Sequence, residues 1–144
     1  MLRKTIMLKL ISWLVFSPTL AVAAQLHCRE DVRANMMKAW MTAANGSKNY
    51  EAAFLIREDG SIDWLGSTYE YRSMHLGKIP PGTVAVFHTH PNDGREGLSQ
   101  ADRNVADQNG VFVYVISIQG LYKYSRPTGQ TRVAEGMEWE KPCK

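Results

Sequence analysis

The sequence predicts an α/β fold of the α+β kind, a mixed β-sheet flanked by helices, on three observations. One stretch near the start repeats apolar residues at helical spacing, and a second is bracketed by helix start and stop signals. Between and after them lie short apolar runs of strand length, set apart by Gly, Pro and Asn turn signals. The resulting order of helix, two strands, strand, helix and further strands fits one sheet with helices packed on it. No repeat, low-complexity tract or shift in composition marks a second domain.

The first residues read as a secretory signal: Arg3, Lys4 and Lys9, then the apolar "LISWLVFSPTLAVAA", then the small-residue pattern Ala21-Val22-Ala23. Lys9 and Pro18 interrupt the apolar run before it reaches the roughly 18 residues that span a bilayer. Cleavage after Ala23 or Ala24 is expected to leave residues 25–144 as a single domain, periplasmic or secreted, with no stable membrane anchor. His27 precedes Cys28 where lipid modification needs a small residue, so a lipoprotein is not expected. The signal carries three of the 17 Lys+Arg and none of the 14 Asp+Glu, so its removal takes the formal charge from +3 to zero. A neutral domain without a basic cluster lacks the electrostatic footprint of a nucleic-acid binder. Cys28 and Cys143 stand at opposite ends of the mature chain, and in an oxidising compartment they are expected to form one disulfide. A metal site of Cys28 with His27 is the weaker alternative, because two neighbours fall short of the usual four-ligand grouping.

From Arg29 to Ala44, Val32, Met36, Trp40 and Ala43 recur at helical spacing with Met37 and Met41 alongside, and Asn45-Gly46-Ser47 supplies a stop. The methionine stripe reads as core packing. "YEAAFLIR" and "SIDWLG" are strands joined by the turn Glu58-Asp59-Gly60, a hairpin. Ser67–Lys78 has no clear pattern. Ile79–Gly82 is a Pro-rich turn into a third strand beginning "TVAVF". The polar "PNDGREGL" forms a loop, Ser99 opens a helix to about Gln108, and Asn109-Gly110 ends it. "VFVYVISI", "LYKYS" and "TRVAE" follow as a meander of strands.

The chemistry concentrates in "FHTHPNDGREGLSQAD", Phe87–Asp102. Residues two apart on a strand share a face, so His88 and His90 present both imidazoles from one strand end. Pro91 then ends that strand by denying a ladder donor. Ser99 and Asp102 fall at the N-cap and third position of the next helix, at its first turn. Two neutral imidazoles and one carboxylate make a catalytic zinc shell with a fourth position open. Each half has a plainer reading: Ser-x-x-Asp is a capping-box variant, and His-x-His occurs at many strand ends. Joined in this order, with strand, loop and helix in place, they favour a metal site.

The arrangement resembles the JAMM metallopeptidases, also called MPN or Mov34-like. Their pattern is an upstream glutamate, His-x-His, seven residues, Ser, two residues and Asp. Here His90 and Ser99 are separated by the eight residues Pro91–Leu98, so the loop is one residue longer than usual, a small change in closure entropy. The resemblance extends over about Tyr50–Tyr124 and implies a JAMM/MPN-like (cytidine-deaminase-like) architecture. It also implies Zn2+ on His88, His90 and Asp102, with Asp93 in reserve should Asp102 fall short. Glu51, heading an otherwise apolar strand, takes the place of the upstream glutamate. Glu70 is the runner-up, and His75 and His27 are expected at the surface.

The activity implied is hydrolysis of amide or isopeptide bonds. Glu51 would act as general base on the attacking water, and the Ser99 hydroxyl would donate to the developing oxyanion. An exported chain points to a peptide, protein or peptidoglycan substrate. The alternative is a non-catalytic JAMM-like binding or scaffold module stapled by a disulfide.

Overall fold

A computed structural model describes residues 25–68 and 78–144. The expected signal sequence, Glu70 and His75 lie outside the described residues. Helix α1 (Glu30–Thr42) precedes strands β1 (Glu51–Arg57), β2 (Ile62–Thr68) and β3 (Thr83–Thr89). Helix α2 (Gln100–Asn109) then leads into β4 (Phe112–Ser117), β5 (Gly120–Ser125) and β6 (Gly129–Glu135), and a short 3-10 turn covers Gly136–Glu140. The six strands form one mixed sheet in the order β2-β1-β3-β4-β5-β6. Only β3 and β4 are parallel, and α2 is their crossover; the other neighbours are antiparallel.

Side-chain alternation along the strands divides the core between the two faces. On the α1 face, Val32, Met36, Ala39 and Trp40 of the helix pack over Phe54, Ile56, Phe87, Tyr114 and Ile116. Four rings stack from strand to neighbouring strand: Trp64 on Phe54 at 6.4 Å, Phe54 on Phe87 at 4.8 Å, and Phe87 on Tyr114 at 4.2 Å. They are direct cross-strand partners, Phe54 with Trp64 and Phe87, and Phe87 with Tyr114. Each such pair adds about 0.5–1.5 kcal/mol beyond its burial and so pins the register. Met36 is buried as the helical periodicity predicts, whereas Met41 falls off the stripe and is 62% exposed.

On the opposite face Leu98, Ala106 and Val111 pack on Leu55, Val86, Val113, Val115 and Tyr122. The hairpin turn is fixed by Asp59, whose Oδ1 accepts from the Ser61 backbone N–H at 2.9 Å. Arg29 reaches from the start of α1 to donate to the Gly60 carbonyl at 2.8 Å, joining helix to turn.

At the chain ends, Trp139 of the 3-10 turn packs edge-on against Trp40 and donates to the Ser117 carbonyl at 3.2 Å. Cys28 and Cys143 are disulfide-bonded, with Cα atoms 5.5 Å apart and a sequence separation of 115. Closing so long a loop restrains the unfolded chain by about 4–5 kcal/mol in the chain-entropy account. Among the described residues, no helix is long and apolar enough to cross a membrane.

Candidate metal centre

Because α2 returns the chain from β3 to the parallel β4, its N-terminus lies beside the carboxyl end of β3, the usual place for a ligand in such a unit. His88 lies two residues beyond Val86, on the α2 face. The His90 N–H donates to the Ile116 carbonyl at 2.9 Å, so pairing with β4 continues past Thr89 and keeps His90 in line with His88. Pro91 then ends it.

Ser99 is the N-cap of α2, with its backbone extended and a complete capping box. The Asp102 N–H donates to Ser99 Oγ at 3.2 Å, while the Ser99 N–H and hydroxyl each donate to Asp102 Oδ2 at 2.7 Å. The cap and the metal site are therefore not rivals. The cap holds Oδ2, and Oδ1 stands 3.0 Å from His88 Nε2. His90 Nε2 lies 3.3 Å from Oδ2 and 3.2 Å from His88 Nε2.

This group of His88, His90 and Asp102 is buried and could hold a metal ion. Bonds of about 2.0–2.1 Å in a tetrahedral zinc shell imply ligand separations of about 3.3–3.4 Å. The two imidazole nitrogens, 3.2 Å apart, are close to that, and the Asp102 carboxylate approaches them with different oxygens, Oδ1 at 3.0 Å from His88 and Oδ2 at 3.3 Å from His90. Ligating histidines usually donate their second ring nitrogen to an acceptor. Among the described residues, Nδ1 of His88 and of His90 has no such protein partner, so the bracing of this centre runs through Asp102 and Ser99.

The electrostatics follow from the proximity. Burial opposes charge on His88, but the Asp102 carboxylate, with Glu51 behind it, outweighs burial and raises its pKa. Burial would raise the Asp102 carboxyl, yet His88 and His90 hold it far below the usual carboxylate range. The pair favours a charged imidazole beside a carboxylate, and a cation bound there would displace that proton.

Glu51 opens β1 and is 6% exposed, so it is not at a solvated sheet edge; β1 lies between β2 and β3. Ala53, two residues along, is the direct partner of His88, which puts Glu51 on the metal-centre face. Thr89 was not singled out by the motif. It points to the other face, where its Oγ1 accepts the Ala52 N–H at 3.0 Å and fixes the start of β1 against the end of β3. A β-branched hydroxyl between two histidines was the available signal.

Asp93 is occupied elsewhere: it pairs with Arg95 at 2.6 Å, and this hydrogen bonding and charge outweigh burial and lower its pKa. His27, expected at the surface, is half-buried instead, its ring 6.2 Å from that of Tyr114 and its Nε2 3.4 Å from Cys28 Sγ. The apolar end of the α1 face draws it in. Comparison with family models, curated proteins and solved structures gave no match to this chain.

Proposed function

We propose that the protein is a zinc-dependent hydrolase of amide or isopeptide bonds acting outside the cytoplasm, a secreted bacterial-type relative of the JAMM/MPN (Mov34-like, JAB) metallopeptidases in architecture and mechanism. The observation that carries this reading is the convergence of His88 Nε2, His90 Nε2 and the Asp102 carboxylate within 3.0–3.3 Å, beside the buried Glu51. Zinc held there supplies a Lewis acid for the scissile carbonyl and brings the pKa of a water toward about 7.

Glu51 takes the proton of the attacking water and passes it to the leaving amine. A carboxylate shielded from solvent, on the face shared with His88, suits that role. Ser99 donates to the oxyanion. Its backbone N–H also holds Asp102 Oδ2, so the carboxylate stays fixed while the hydroxyl turns toward substrate. The substrate is a peptidoglycan peptide cross-link or a secreted protein or peptide. The signal-like N-terminus and the disulfide support such a location.

The test is to incubate the zinc-loaded mature protein with muropeptides and with linked peptides and to look for new amines by mass spectrometry. New amines that depend on zinc and on Glu51 support the hydrolase. Zinc binding without cleavage of either class favours a non-catalytic module.

A further inference from the structure

We propose that Gln130 of β6 is a positioning residue for the metal centre, acting with Asn92 to lock the two ends of the loop between His90 and Ser99. This rests on the metal reading above and adds residues outside the motif to it. Pro91–Leu98 must deliver Ser99 and Asp102 to the histidines, and among the described residues its exposed middle, Gly94–Glu96, is braced from Asp93 alone. Such a loop has slack unless its ends are held.

Both ends are held, and in the same way. At the first, the Asn92 N–H donates to the Gly46 carbonyl at 2.8 Å and its side-chain amide to the Asn45 carbonyl at 3.1 Å. The Asn92 amide lies so close over Gly46 that a Cβ there would stand 2.5 Å from its Oδ1. At the second, Gln130 Oε1 accepts the Leu98 N–H at 3.1 Å and Arg103 Nη2 at 3.3 Å. A Cβ on Gly97 would stand 2.5 Å from Gln130 Nε2. Both glycines have positive φ, 71° and 72°, which further excludes a larger residue.

Each end of the loop is thus an amide seated on a glycine, anchored to the turn after α1 on one side and to β6 on the other. Gln130 touches none of the ligand atoms. It acts through Leu98, the residue before Ser99, and through Arg103, the residue after Asp102. It therefore fixes both flanks of the segment whose carboxylate faces His88.

The test compares Gln130→Ala, Gln130→Glu and a neighbouring control, Thr131→Ala, by zinc affinity in chelator competition and by the visible spectrum of the cobalt-substituted protein. Amide exchange at Leu98 in metal-free protein is the third readout. Gln130→Ala should weaken zinc about tenfold, alter the cobalt spectrum and speed Leu98 exchange. Gln130→Glu, which keeps the acceptor oxygen, should restore all three, and Thr131→Ala should change none. Gly97→Ala should reproduce the loss by unseating the amide. Wild-type affinity in Gln130→Ala, or failure of Gln130→Glu to restore it, overturns the proposal. If the wild type binds no metal, the functional reading fails by itself, and unchanged Leu98 exchange in Gln130→Ala would then overturn the lock as well.

Discussion

Among the described residues, metal-capable side chains come together twice: His88, His90 and Asp102 at the carboxyl end of β3, and His27, Cys28 and Cys143 where the two ends of the described chain meet. Both groups place three donor atoms within 4.8 Å of one another, yet their chemistry is opposite. In the second, the sulfurs are already bonded to each other, and Cys143 is exposed on a terminal segment outside helix and strand. Burial, and then Lys123, lowers the His27 pKa, so that ring is kept neutral beside a covalent clasp. In the first, the donors are held only by protons and hydrogen bonds that a cation can displace, are buried, and stand on a strand end and a helix cap. Donor types alone do not make a site; displaceable donors on rigid elements can.

The comparison can be broken most sharply at Asp102. Asp102→Ala should lose most of the zinc and all measurable hydrolysis, while the cap costs about 1 kcal/mol and the fold survives. Metal analysis with thermal melts checks both halves, and full zinc retention would move the third ligand elsewhere. Glu51→Gln comes next: zinc and fold should be kept, while turnover falls by about 10²–10⁴, since the amide cannot accept a proton. Steady-state kinetics read this directly.

The other group should answer differently. Replacing Cys28 and Cys143 by serine should lower stability by about 2–5 kcal/mol in denaturant unfolding and leave zinc affinity unchanged. A loss of zinc in that variant would merge the two groups into one system.

The smallest expected effect is that of pH. In the metal-free protein the depressed Asp102 stabilises the fold above about pH 4 and loses this as pH falls through its folded value. The raised His88 stabilises below about pH 6.5 and loses this as pH rises through its folded value. Zinc must displace the His88 proton, so its affinity should rise about tenfold per pH unit for each proton displaced and level off above that value. Chelator competition across about pH 6 to 8 measures the slope.

Much of this was legible in the sequence because it rests on local rules. The hairpin at Glu58-Asp59-Gly60, the third strand, the helix opened at Ser99 and closed by Gly110, and the meander after it all follow from period and turn chemistry. His88, His90 and Asp102 could be grouped because strand alternation and helix capping set their directions. The pairing of β1 between β2 and β3, which buries Glu51, depends on contacts between distant strands that local patterns do not encode. The same holds for the Thr89 bond to Ala52 and for the seat of Gln130 on Gly97. His27 was misplaced for a similar reason: its burial comes from Tyr114 and the C-terminal segment.

The most direct test of the central claim is metal content per chain in protein refolded with its disulfide intact and dialysed against trace zinc. Wild type and His27→Ala should each hold about one zinc, and His88→Ala and Asp102→Ala should hold almost none. A wild type without zinc, or zinc that is lost with His27 and kept without His88, would contradict the account.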